Sequence, residues 1–454
     1  MQRTRRDEVE RAFPTGPSTI MGMSTLPERA WAGLPLGSPL VVRTRAIADP
    51  GPLLALLPDP DRPEDVLSWV RHREGLVAWG QVARLTVSGP DRFVAADEWW
   101  AEVSAHAVVR DEVSRPGTGP VVFGSFPFSD SSTAPGVLVV PEVVVGCRDG
   151  AWWVTTVGTA GQLPPIPELS PGPAPASPAG VTFADGALGP DEWGSAVVDA
   201  VGRINRGDLD KVVLARDLYA RASGRIDPRF LLTHLAERYP RTWSFAVDGL
   251  VGATPELLLR REHGLVTSRV LAGTIQRSGN DVNDLALAAS LARSSKDLEE
   301  HEYAVRSVAE ALASHCSSTN VPETPFVLHL SNVMHLATDV TGVSSDAATS
   351  LALAAALHPS AAVGGTPKDV AVALIDEIEG MDRGRYAGPV GWMDGSGDGE
   401  WGIALRCGRV DESDPARIRL YAGCGIVAGS TPESELAEAD AKFVPMRDAL
   451  EAGA

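Results

Sequence analysis

Cysteine is scarce in this chain: Cys147, Cys316, Cys407 and Cys424 are the only four in 454 residues, and no CxxC pair occurs among them. That argues against a disulfide framework and suits reduced thiols in a cytoplasmic protein. Long apolar runs are missing too. No stretch nears the roughly 18 uninterrupted apolar residues of a membrane helix, and MQRTRRDEVERAFPTG lacks the apolar segment of a secretion signal. Basic tracts stop at the short RTRR near the start, and the formal charge is −19 from 40 basic and 59 acidic residues. Nucleic acid and anionic membrane are therefore disfavoured as partners. An anionic ligand would need a local cationic site.

Familiar catalytic signatures are also absent. There is no GxxxxGK[ST], GxSxG or HExxH. GCGIVAG (Gly423–Gly429) is spaced GxGxxxG and follows no parallel βαβ unit, so a dinucleotide loop is rejected. The run from Asp394 through Ser396 and Asp398 resembles a calcium loop only until its twelfth position, Leu405, where a glutamate is required. A hairpin turn is the better reading.

What is present is a large apolar fraction, 44%, in a chain long enough for one big α/β body or several smaller domains. Residues 1–24 read as a loose tail, with Met21 and Met23 as candidate starts. Residues 25–163 alternate short β-rich runs with a helical stretch around DEWWAEVSAHAVVRDEV and read as an N-terminal lobe. Residues 164–185, dense in proline and alanine, read as a linker loop. Residues 186–454 then form a denser region. It has an amphipathic helix at DEWGSAVVDAVGRINRG, a strand at KVVLARDLYARA and antiparallel strands through WSFAVDGLVGATPELLLRREHGLVTSRVLAGT. One long helix is predicted across DVNDLALAASLARSSKDLEEHEYAVRSVAEALASH, and a final helix follows RIRLYAGCGIV. No internal repeat is evident. Strand runs without strict βαβ alternation predict an α+β fold, a large mostly antiparallel sheet core in two lobes wrapped by helices.

Two acidic pairs stand out, Asp297 with Glu300 and Glu435 with Glu438. Each has i,i+3 spacing, so each puts two carboxylates on one helix face. Alone, such a pair is ordinarily solvated surface. Two such faces turned toward each other would make an oxygen-rich cage for a hard cation such as Mg²⁺.

The company these pairs keep is more specific. DKVVLAR, TPELLL, LAGT, KDLEEH, MHLATDVTG, LHPSAAVGGTP, RGRYAGPVGW, ALRC and YAGCGIVAGSTPESELAEADAK occur in this order. Together, from about Glu192 to Leu450, they resemble the chorismate-utilising enzymes, and LHPSAAVGGTP is most like the isochorismate synthase branch. The resemblance implies addition of water at ring C2 of chorismate with loss of the C4 hydroxyl, assisted by Mg²⁺. It implies Lys211 as the base for water and Glu256 as the acid for the departing hydroxide. An amine is a base only when unprotonated, and a glutamate an acid only when protonated, so both need perturbed surroundings. A surface lysine and an edge-strand glutamate are their plain alternatives.

By the same resemblance, Glu300, Glu435, Glu438 and Asp297 associate with Mg²⁺, although relatives often carry glutamate at position 297. Tyr386, Arg406, Gly423, Gly425 and Lys442 contact the substrate, as do Gly273, Thr274, His335 and Ser360. In WGIALRC the period of two puts Arg406 on one face with Gly402 and Ala404, leaving room beside the guanidinium. His335 read alone is a satisfied core histidine as readily as a ligand. Relatives usually have threonine at 360 and SPE where this chain has Thr254-Pro255-Glu256; neither change removes a catalytic atom. Lys211 points to water rather than ammonia as nucleophile, hence to no glutaminase partner, and the resemblance implies a monomer. Salicylate synthases share this lysine and remain the alternative, with an aminating chorismate enzyme or a non-catalytic metal-binding homologue behind them.

Overall fold

The computed structural model describes residues 39–159, 164–330, 333–345 and 347–453; at Lys296 and Glu300 only the backbone is described. The segment read as a tail, residues 1–24, lies outside the described residues. The architecture is α+β, built on two large sheets of thirteen and ten strands. The first runs from Thr182–Asp185 through Lys211–Arg221, Arg417–Ile426, Cys407–Val410, Leu250–Thr254 and Trp243–Val247, then into strands drawn from residues 41–158. The second includes Val333–Ser344, Leu265–Gln276, Leu257–Glu262, Gly399–Ile403 and Pro389–Asp394, and continues into Val121–Ser125. Both sheets thus draw on both halves of the chain. Pairing is antiparallel almost throughout; Val41–Ile47 against Val108–Asp111 is parallel.

Lys211–Arg221 is buried along nearly its whole length, which explains why its sequence reads as apolar on both faces rather than alternating. Leu265–Gln276 pairs with Val333–Ser344 along its length, interrupted by a bulge at Gly273. There φ is +73°, a left-handed conformation that glycine adopts without a Cβ clash.

Two short segments carry the chain from one sheet to the other. Pro255 and Glu256 join Leu250–Thr254 in the first sheet to Leu257–Glu262 in the second, and Ala404–Arg406 return from Gly399–Ile403 to Cys407–Val410. Pro255 has no N–H to extend a ladder, so the strand stops there. The crossings are tied together: Ala253 N–H donates to the Arg406 carbonyl (3.1 Å) and Ile403 N–H to the Glu256 carbonyl (3.2 Å). Arg406 has φ +48°, a conformation costly for a residue with a Cβ and one that surrounding structure must hold.

The single long helix predicted from Asp281 onward is two helices, Asp281–Leu291 and Ser295–Ala313. Ser294 divides them, its hydroxyl accepting the Asp297 N–H (3.3 Å) and capping the second. The stretch read as a linker is irregular to Val181, and its last residues form the edge strand Thr182–Asp185. The last helix, Pro432–Glu451, starts on a Thr431 cap with proline at its first position. Among the described residues no helix is long and apolar enough to cross a membrane.

Candidate active site

The two crossings, the start of Lys211–Arg221 and the first turns of the last helix meet at one open cavity. Lys211, Glu256, Arg406 and Tyr386 line it, as do Gly273, Thr274 and His335. Gly423, Gly425, Glu438 and Lys442 complete the residues expected there. The chain has only four lysines, Lys211, Lys296, Lys368 and Lys442. Two of the four line this cavity, Lys211 half-buried at the start of its strand.

The cavity is cationic although the chain is acidic. Lys211, Arg383, Arg406 and Lys442 line it with two carboxyl groups, Glu256 and Glu438. These two are tuned in opposite directions. Burial pushes Glu256 up to about 8, against the pull of Lys211, Lys442 and Arg406. Burial also raises Glu438, but Lys442, Arg406 and Lys211 outweigh it and bring the group below its ordinary value. Glu256 is therefore a proton donor near neutral pH while Glu438 stays ionised, a division of roles set by surroundings. Glu438 pairs with Lys442 at 2.7 Å, and Lys442 Nζ donates to the Gly423 carbonyl at 2.7 Å, tying the helix to the strand.

His335 holds Thr274 Oγ1 at 3.0 Å through Nδ1, while its buried Nε2 has no hydrogen-bond partner among the described residues. Burial, then Arg406 and Lys442, push its pKa down to about 3, so the ring is neutral. Tyr386 stacks on Tyr421, with ring centroids 5.1 Å apart and planes 9° apart, and burial pushes its phenol up, so it remains an O–H donor. A Cβ at position 423 would lie 3.1 Å from the Tyr386 hydroxyl and 3.0 Å from the Leu214 carbonyl; glycine is what lets the tyrosine sit there. Arg406 is half-buried at the cavity, and its guanidinium is a fork able to bind a carboxylate at two points.

Not every expected residue faces the main cavity. Ser360 lines a small adjoining pocket shared with Glu256, and its buried Oγ has no partner among the described residues. Asp297 stands behind the bulge, close enough that a Cβ at Gly273 would come within 3.0 Å of its own Cβ. Glu435 is buried, its Oε2 has no partner among the described residues, and burial raises its pKa, opposed by Ser430 and reinforced by Glu438. The Glu300 side chain lies outside the described residues. Among the described residues no group of three or more His, Cys, Asp or Glu side chains is drawn together as a metal site. The donor chemistry suits a hard cation such as Mg²⁺: Asp297, Glu435 and Glu438 offer carboxylate oxygens, and Glu435 Oε2 is buried with no partner among the described residues.

Sequence reasoning overlooked Arg383, which also lines the cavity. It lies in RGRYAGPVGW, a block read for its tyrosine alone. His358 of LHPSAAVGG is accounted for structurally: buried, it meets the Phe128 carbonyl at 2.9 Å through Nε2.

A cationic cavity lined by two lysines, two arginines, a tyrosine and a carboxyl held protonated has the lining of an enzyme site suited to a small anion. The family model for chorismate binding enzymes matches residues 42–163 and 168–451, and the chain belongs to that family. It is similar to isochorismate synthase DhbC of Bacillus subtilis (strain 168), 38% identical over 347 residues, 73% of this chain and 81% of the relative. It is 33% identical over 446 residues to the salicylate biosynthesis isochorismate synthase of Pseudomonas aeruginosa, 92% of this chain and 91% of the relative. Its fold matches MenF, the menaquinone-specific isochorismate synthase from Escherichia coli. The TM-score is 0.75 at 23% identity, over 91% of this chain and 95% of that one.

Proposed function

We propose that the protein is an isochorismate synthase, an isomerase that adds water at C2 of chorismate and expels the C4 hydroxyl. The observation that carries this reading is the sharing of one cavity by Lys211 and by Glu256, whose carboxyl is held protonated near pH 7. Lys211 takes the proton of the attacking water while the Glu256 carboxyl gives its own to the departing hydroxide, so atoms and charge balance over the turnover. Arg406, Tyr386 and the backbone amides beside Gly423 and Gly425 hold the enolpyruvyl carboxylate. Thr274 and the neutral His335 orient ring hydroxyls, with Nε2 as acceptor. Asp297, Glu300, Glu435 and Glu438 would hold Mg²⁺, which when bound neutralises the ring carboxylate and polarises the ring. The reading includes a monomer working without a glutaminase partner.

The test is incubation with chorismate and Mg²⁺, with products separated by chromatography. Isochorismate as the sole product is expected, and Lys211→Ala should lower its formation by about 10²–10⁴-fold, the range for loss of a general base. Salicylate with pyruvate would instead make the protein a salicylate synthase. A Lys211→Ala variant as fast as the parent would remove the lysine from the chemistry.

A further inference from the structure

The strand that carries Lys211 has an unusual outer edge. On its inner side Lys211–Arg221 pairs with Arg417–Ile426 from Val212 to Arg221. On the outer side Gly365–Thr366 meets only Lys211 and Val212, with Val213 N–H donating to the Gly364 carbonyl (2.8 Å). Thr182–Asp185 takes over only from Leu218. Between these two, no strand among the described residues covers the Val213 carbonyl or the Ala215 amide and carbonyl, and buried backbone groups require partners.

Three side chains supply them. Glu379 Oε1 accepts the Ala215 N–H at 2.7 Å, Arg383 Nη2 donates to the Val213 carbonyl at 2.7 Å, and Trp193 Nε1 donates to the Ala215 carbonyl at 3.0 Å. Arg383 also donates through Nη1 to the Val363 carbonyl at 2.9 Å, inside the loop that meets Lys211, and through Nε to Glu379 Oε2 at 2.8 Å. Glu379 and Arg383 are 2% and 3% exposed, and the guanidinium lies over the Phe128 ring at 4.3 Å. A buried ion pair is poor at adding stability, because removing both charges from water costs about what their attraction returns. Here the pair spans two backbone segments that end at the cavity, and the guanidinium itself lines it.

We propose that Glu379 and Arg383 are a positioning pair: they replace the missing length of edge strand and fix Lys211 and the Ser360–Gly365 loop in one relative placement. Neither is assigned contact with the reacting atoms. The proposal rests on Lys211 as the base, but part of its test does not depend on turnover. The full chain would be prepared with Glu379→Gln and, separately, with Arg383→Lys, and folding checked by circular dichroism and thermal melting. One readout is steady-state kinetics with chorismate and Mg²⁺. The other is the rate at which Lys211 reacts with trinitrobenzenesulfonate relative to Lys442, resolved by peptide mapping, which the scarcity of lysine makes tractable.

For folded Glu379→Gln, kcat should fall about 100-fold with KM within about threefold, the pattern of a misplaced reacting group. The Lys211-to-Lys442 labelling ratio should shift at least about fivefold if about 1 kcal/mol of placement is lost. Arg383→Lys should fail to restore the parent values, because one ammonium cannot fork to two carbonyls. If Glu379→Gln does not fold, Arg383→Lys carries the same comparison. An unchanged labelling ratio in a folded variant, or a kcat loss explained by the unfolded fraction, would overturn the pair. A parent protein inert toward chorismate would defeat the isochorismate reading, while the labelling ratio would still decide the positioning role.

Discussion

Glu256 shows how one residue trades stability for chemistry. Its carboxyl sits at the crossing between sheets, 7% exposed, and burial lifts its pKa from 4.5 to about 8. A folded-state value above the unfolded one adds stability that is complete below pH 4.5 and is lost progressively as pH rises through about 8. At neutral and alkaline pH the buried site therefore opposes folding, by roughly 1.4 kcal/mol for each pH unit between the two values. Glu256→Gln keeps the shape and removes the titration. It should melt a few degrees above the parent at pH 8.5 and within about one degree of it at pH 4.5. The same variant should lose activity by about 10²–10⁴-fold, having no proton to give. Activity of the parent should decline as pH rises past about 8, where the carboxyl ionises. Differential scanning fluorimetry and a pH–rate series check both. A melting advantage that does not grow with pH would mean that the carboxyl is not held protonated.

At the scale of elements, the anion grip depends on the closeness of two backbones. Gly423 lies opposite Ala215 in the paired strands, and the Tyr386 hydroxyl occupies the space a side chain would need. Gly423→Ala should displace Tyr386 and raise KM for chorismate by about tenfold, the cost of about one lost hydrogen bond, with little change in kcat. Steady-state kinetics decide it; an unchanged KM would remove Tyr386 from substrate binding. The same scale shows what the sequence could reveal. Lys211, Glu256, Arg406 and Tyr386 were legible because each falls within a block whose order along the chain is distinctive. The α+β class was legible from strand runs without βαβ alternation. The crossings at Pro255 and Ala404–Arg406 were not, because a strand's change of sheet depends on partners far away in sequence. Apolar periodicity hid the break at Ser294, where a single hydroxyl cap outweighs a continuing helical pattern. Arg383 was missed because an arginine's role depends on the carbonyls it reaches, and these lie 20 and 170 positions away.

For the molecule as a whole, a chain of formal charge −19 still gathers four cationic side chains, Lys211, Arg383, Arg406 and Lys442, around one cavity. Two of its buried histidines contribute to its response to acid. His335 and His358 each have pKa values pushed from 6.5 down to about 3, by burial above all. A lowered folded-state value means that stability is complete above pH 6.5 and drains away as pH falls toward about 3, because only the unfolded chain takes up the protons. At pH 5.5 each histidine should cost about 1 kcal/mol relative to pH 7.5. His358→Asn should reduce that sensitivity without touching the cavity. Chemical denaturation at the two pH values measures it, and a midpoint independent of pH in the parent would show that these rings are not buried neutral.

The central claim is that Lys211 delivers solvent water to C2 of chorismate. The most direct measurement is early turnover in H₂¹⁸O with Mg²⁺, followed by mass spectrometry of the product. Isochorismate should carry one ¹⁸O on its C2 hydroxyl from the first turnovers, and Lys211→Ala should give none of it. Isochorismate formed without label, by a shift of the substrate's own hydroxyl, would contradict it.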